Sequence, residues 1–103
     1  DLVRDSENKK ASIKFKKNID YYPFKLDDNL EVIKIIKDSA NKIGIKSSNV
    51  QVNGGLDANW LIRNGIPTVT FGNGHYNPHS LEEYLDIKEY LDSCRLAISI
   101  ATR

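Results

Sequence analysis

Apolar residues recur at helical spacing in two long stretches of this chain and alternate at strand spacing in a third. Between Asp28 and Lys42, the residues Val32, Ile33, Ile35, Ile36 and Ala40, with Ile43 just beyond, form a broad helical face, and Gly44 supplies the stop. Near the end of the chain, Asp86 followed three residues on by Glu89 predicts an N-cap and its N3 partner. Ile87, Leu91, Cys94, Ile98 and Ala101 then repeat by steps of four, three, four and three, which predicts an amphipathic helix from Ile87 to about Thr102. In Ala11 to Lys16 apolar and basic residues alternate with the period of a half-buried edge strand.

Punctuation residues order the remainder. Tyr21-Tyr22-Pro23-Phe24 reads as an extended connector with three aromatic anchors, because Pro23 lacks an N–H and restrains Tyr22. A domain boundary is placed there, dividing 1–24 from 25–103. Asn49 to Val52 predicts a short strand. Asn53-Gly54-Gly55 turns the chain to Asp57, an N-cap candidate for a helix Ala58 to Arg63 that ends at Asn64-Gly65. Ile66 to Phe71 predicts a further strand, closed by Gly72-Asn73-Gly74. Helix, strand, helix, strand is the order of an α/β layer architecture.

Composition narrows the class. The 103 residues carry 15 basic and 14 acidic side chains, a formal net charge of +1, with the lysines interleaved among acids. This excludes the basic stripe that nucleic-acid binding requires. Apolar runs extend over only a few residues, against the roughly 20 needed to cross a bilayer, and no leader pattern opens the chain. The expectation is a soluble, cytoplasmic protein with neither nucleic-acid nor membrane partners. The lone Cys94 fits a reducing compartment and reads as a small buried hydrophobe on a helix. No methionine is present and the first residue is Asp1, so the chain is expected to be a fragment of something longer.

Candidate chemistry gathers in two loops. His75 and His79 are four apart, but Gly72, Gly74 and Pro78 oppose a helix there. A single histidine ligand leaving a loop after a strand and a solvated loop histidine are both open readings. The turn Asn53 to Asn59 is either an ordinary strand-to-helix turn or a loop whose glycines admit a ligand close to the backbone. Asp57, Glu82 and Glu83 are candidate acids, although Asp57 serves equally as a cap and the glutamates as a solvated first turn. There is no phosphate loop and no serine nucleophile elbow.

Four of these pieces are in register with one family. Gly54-Gly55-Leu56-Asp57-Ala58-Asn59, Asn64-Gly65-Ile66-Pro67-Thr68-Val69, Gly72-Asn73-Gly74, and Asn77-Pro78-His79-Ser80 with Glu83-Tyr84 resemble the C-terminal end of the co-catalytic di-zinc exopeptidases. That family includes peptidase T, aminoacylase, acetylornithine deacetylase and carboxypeptidase G, and the resemblance is nearest to the peptidase T-like members. It implies the C-terminal portion of a two-layer α/β catalytic domain (25–103), preceded by a remnant of the lid or dimerisation domain (1–24). It covers nearly the whole chain but only about a quarter of a family member.

The resemblance also implies roles. His79 falls on the family's last metal ligand, in a site of two zinc ions. His75 falls where the family varies and becomes a pocket neighbour. Gly54 and Gly55 match the turn that lies against the substrate, Asn77, in the loop that carries the ligand, is likewise expected to bind substrate, and Arg4 matches a lid arginine that grips a substrate carboxylate, though a surface arginine in a charged turn is the competing reading. The implied activity is hydrolysis of short peptides by an aminopeptidase using a metal-activated water, with an N-acyl amino acid deacylase or a non-catalytic carboxylate-binding module as alternatives. A homodimer through the lid is the implied assembly. The H-x-D motif, bridging aspartate, Glu-Glu pair and third acidic ligand of the family are absent from this sequence, so no catalytic residue is assigned here and the chain alone is expected to be inert. Only Ser6 to Lys10 stands where relatives carry a lid helix.

Overall fold

In the computed structural model, which describes residue 4 and residues 6–103, three helices and one small hairpin follow one another as α1 (Glu31–Lys42), α2 (Asp57–Arg63), β1 (His75–Tyr76), β2 (Tyr84–Leu85) and α3 (Ile87–Ala101). Val3 and Asp5, which flank Arg4 in the stretch that resembles the lid arginine, lie outside the described residues.

α1 and α2 each end where a glycine dictates. At α1, Gly44 adopts a φ of 73° while its N–H donates to Asn41 O at 3.1 Å and that of Ile45 donates to Ala40 O at 2.9 Å. At α2, Gly65 has a φ of 80°, with Gly65 N to Ile62 O at 2.9 Å and Ile66 N to Leu61 O at 3.0 Å. Both are Schellman closures, which satisfy carbonyls that a helix end otherwise leaves unpaired. The starts are shifted from expectation. α1 begins at Glu31 rather than Asp28, because the Asp27 carboxylate accepts the Asn29 N–H at 2.8 Å and its carbonyl accepts that of Leu30 at 3.0 Å, turning the chain first. Asp57 is the first residue of α2 and not its cap. Leu56 holds that position, and its N–H donates to Asn59 Oδ1 at 2.8 Å.

α1 packs on α3. Ile33, Ser39 and Ala40 are buried on α1 and Leu96 on α3, and Ser99 Oγ donates to Ser39 O at 3.2 Å across the contact. Small side chains at Ser39 and Ala40 let the helices approach closely. The apolar stripe expected to bury α3 instead faces outward: Ile87, Leu91 and Ile98 are 63%, 56% and 63% exposed. The reason is that α3 is apolar on two sides. Leu96 lies about half a turn round the helix from that stripe, and α1 takes the Leu96 side.

The strands expected at Ala11 to Lys16, Asn49 to Val52 and Ile66 to Phe71 run without ladder partners among the described residues. Ile13, Phe15, Val50 and Val52 are accordingly exposed. A ladder needs a neighbour at about 4.8 Å, and the alternating pattern of one segment cannot supply it. The two-stranded sheet is β1 against β2, antiparallel, pairing His75 with Leu85 and Tyr76 with Tyr84. In place of a compact core, the chain has a radius of gyration of 21.1 Å and a longest dimension of 71 Å, where a compact domain of this length has about 13 Å.

Asn59 ties the connector to α2. It is buried, and its Nδ2 donates to Tyr22 O at 2.7 Å while its Oδ1 serves Leu56. Asn59→Ala should therefore destabilise the intact protein by about 1–3 kcal/mol in a denaturant titration, since Leu56 N–H and Tyr22 O both lose their partner. Gly44 and Gly74 make a second, paired test. A Cβ at Gly44 meets nothing within 4 Å, so Gly44→Ala should cost about 1–2 kcal/mol from its left-handed backbone alone. At Gly74, with a φ of 76°, a Cβ would lie 2.8 Å from both Asp86 O and Glu89 Cβ. Gly74→Ala should add a further ~1–3 kcal/mol of overpacking, and equal melting temperatures for the two variants would contradict this packing.

Candidate metal-ligand and substrate loops

The hairpin presents two chemically different faces, because side chains alternate along β1 and β2. On one face the directly opposed Tyr76 and Tyr84 stack with ring centroids 5.0 Å apart and planes at 13°. Tyr76 Oη donates to Glu89 Oε2 on α3 at 2.6 Å, and that bond, with desolvation and the negative carboxylate, raises the phenol above its ordinary pKa. On the other face His75 and Glu83 are diagonal neighbours. His75 Nε2 and Glu83 Oε1 are 2.7 Å apart. The hydrogen bond from His75 holds the Glu83 carboxyl below the usual glutamate range, aided by a backbone hydrogen bond from His79.

His79 stands in the loop between the strands, with a φ of 67°, and its N–H donates to Glu83 Oε2 at 3.3 Å. Its exposed imidazole makes no hydrogen bond among the described residues. Asn77, also left-handed with a φ of 50°, directs Nδ2 to Glu82 O at 3.3 Å, and its carbonyl accepts from Ser80 Oγ at 2.9 Å. Ser80 Oγ in turn accepts the Glu82 N–H at 3.1 Å. The loop is thus internally hydrogen-bonded, and the helical start once open for Glu82 and Glu83 gives way to a turn entering β2.

The glycine turn lies elsewhere. Gly54 has a φ of 125° and open space where a Cβ would be, whereas a Cβ at Gly55 would overlap the Tyr21 ring. An open groove of about 270 Å³ is lined there by Asp20, Tyr21, Gly55, Leu56, Asp57 and Trp60. Arg4 is held in its own turn: Nη1 donates to Asn8 O at 2.9 Å and to Asn8 Oδ1 at 3.2 Å, and its backbone bridges to Lys10. Arg63 stacks its guanidinium 4.0 Å from the Tyr22 ring centroid and 5.3 Å from that of Trp60.

The structure therefore brings Asn77 and His79 together with His75 and Glu83, and sets Gly54 and Gly55 and then Arg4 in separate turns. Among the described residues no three His, Cys, Asp or Glu side chains converge as a metal site. The donor set fits one ligand, not a complete centre. Sequence reasoning passed over the contact of Glu83 with both histidines and the connector role of Asn59. The first has a faint signal in the alternation of His75-Tyr76 and Glu83-Tyr84, the second in the N3 position of Asn59 after the turn.

Comparison with known proteins gives the family. Residues 6–103 match the family described as Peptidase family M20/M25/M40, and the chain belongs to that family. Among individual relatives, it is 36% identical over 80 residues to the uncharacterized protein YqjE of Bacillus subtilis (strain 168), covering 77% of this chain and 22% of that protein. It is 27% identical over 86 residues to Peptidase T of the same organism, covering 82% of this chain and 21% of that protein. The chain spans about a fifth of the length of these curated relatives. No solved structure gives a significant match. No helix among the described residues is long and apolar enough to cross a membrane.

The Glu83 environment is directly measurable. A pH titration followed at the Glu83 carboxyl carbon should give a midpoint below the ordinary glutamate value of about 4.3. Because the carboxylate is favoured in the folded loop, its contribution is complete above the ordinary value and fades as pH falls through the lowered one. His75→Ala should move the midpoint upward, and an unmoved midpoint would deny the contact.

Proposed function

We propose that the intact protein is a zinc-dependent peptidase of the peptidase T kind, acting on short peptides from the amino end, and that this chain supplies its C-terminal part with His79 as one metal ligand. The observation that carries the reading is the His79 imidazole: in a chain of this peptidase family it stands on the loop leaving a strand, with its ring uncommitted among the described residues. A neutral imidazole there suits zinc at about 2.0 Å. A bound zinc pair supplies Lewis acidity and an activated water for attack on an amide.

The other residues have supporting parts. Gly54, with nothing within 4 Å of its missing Cβ, admits substrate backbone close to the turn. Gly55 keeps that turn against Tyr21 along the open groove. Asn77 shapes the approach to His79, and the planar fork of Arg4 suits a substrate carboxylate. The similarity to Peptidase T favours a peptide over an N-acyl amino acid as substrate.

His79→Ala in the intact protein should strip bound zinc and lower turnover of short peptides by more than the roughly 10- to 100-fold that follows loss of a ligand's outer partner. Metal content measured by elemental analysis and peptide hydrolysis measured on the same preparation check this. Unchanged values for both would remove His79 from the metal site.

A further inference from the structure

We infer that Glu83 is the positioning residue of the His79 loop, its carboxylate gripping the His75 imidazole with one oxygen and the His79 backbone with the other so that the free ring of His79 is aimed as a ligand. The inference deepens the proposed function and rests on its assignment of His79.

The argument begins with what holds His79. The loop has four internal contacts near its base, from Asn77 to Glu82, from Ser80 to Asn77, from Glu82 to Ser80, and from the Glu83 N–H to the Ser80 carbonyl. None of them touches His79. The hydrogen bond to Glu83 Oε2 is the bond that His79 makes among the described residues. A histidine at a φ of 67° carries a conformational cost that its own turn does not repay. The fixing of that backbone, and with it the direction of Cβ and the ring, falls to Glu83.

Glu83 can do this because its other oxygen is anchored. At 3.3 Å the bond to His79 N is long, and an unanchored glutamate on an exposed loop would give it little direction. The contact with His75 Nε2 at 2.7 Å fixes the carboxylate, and His75 is itself fixed by its pairing with Leu85. The chain of support runs from the β1–β2 ladder through His75 and Glu83 to His79. It also sets roles: His75 anchors Glu83 through Nε2, and both Glu83 oxygens are engaged in holding the loop. Outer partners of this kind orient metal-binding groups and tune their affinity.

The test measures zinc affinity by chelator competition, and melting temperature without metal, for the intact protein and for Glu83→Ala, Glu83→Gln and His79→Ala. Glu83→Ala should weaken zinc binding about 10- to 100-fold with only a small fall in the metal-free melting temperature. Glu83→Gln should recover most of the loss, since the amide oxygen still accepts from His79 N–H and the amide nitrogen donates to the other tautomer of His75. If His79→Ala abolishes binding while Glu83→Ala binds as tightly as the parent, the positioning role is overturned and the ligand assignment survives. If His79→Ala leaves zinc affinity intact, both fall. A large fall in metal-free melting temperature in Glu83→Ala with no recovery of affinity in Glu83→Gln would make the carboxylate a stability element only, which also overturns the inference.

Discussion

The backbone hydrogen bond from Asp86 N–H to Gly74 O, 2.8 Å long, is where the candidate site meets the fold. It closes the hairpin against the first turn of α3. The same Asp86 caps that helix by accepting the Glu89 N–H at 2.9 Å, and Glu89 returns a carboxylate to the Tyr76 hydroxyl. One short segment therefore fixes the base of the His79 loop to the longest helix, which is fixed in turn to α1 through Leu96 and the Ser99–Ser39 contact. The approach is so close that only glycine fits at position 74. The proposed ligand role of the loop calls for a rigid base, and here the rigidity is assembled from an end cap, a ladder and a buried small-residue contact.

Burial limits how far that rigidity extends. Ile33, Ala40, Ala58 and Leu96 are the buried apolar residues among those described, while Ile13, Phe15, Val50, Val52, Ile87, Leu91 and Ile98 face outward. A helix apolar on two opposite sides is the pattern of one packed from both directions, and α1 covers a single side of α3. The extended segments tell the same physical story, since β-branched residues favour a pleated surface only when a second strand provides it. Covering those faces would hold the hairpin and the glycine turn relative to each other, as the proposed joint action of Gly54, Gly55 and His79 on one substrate requires.

How much was legible in the sequence follows from how local each feature is. The ends of α1 and α2 were written in Gly44 and Gly65, and the start of α3 in Asp86 and Glu89, because caps involve residues within one turn of each other. The start of α1 was missed because Asp27 forms a competing turn, and Asp57 was misplaced by one position because Asn59 satisfies Leu56 from inside the helix. One strand was read from alternation and the other two from short runs beside turns, and each signal records a preference and not a partner. The face that α3 buries was misread for a related reason: five apolar residues in register outweigh Leu96 in a periodicity, but which side is covered depends on where α1 arrives.

The loop itself shows why family resemblance and geometry carry different information. Asn77-Pro78-His79-Ser80 identifies the position of a ligand by likeness, and nothing in that string says how a histidine is kept at positive φ. The structure adds that Asn77 and His79 are both left-handed around Pro78. Asparagine visits that region readily, and proline cannot donate a hydrogen bond to stabilise the turn, so the expense falls on His79. In the ordinary region the His79 backbone would need no carboxylate partner. The conformation persists beside Glu83, and the ring it leaves uncommitted is the one the family likeness assigns to metal.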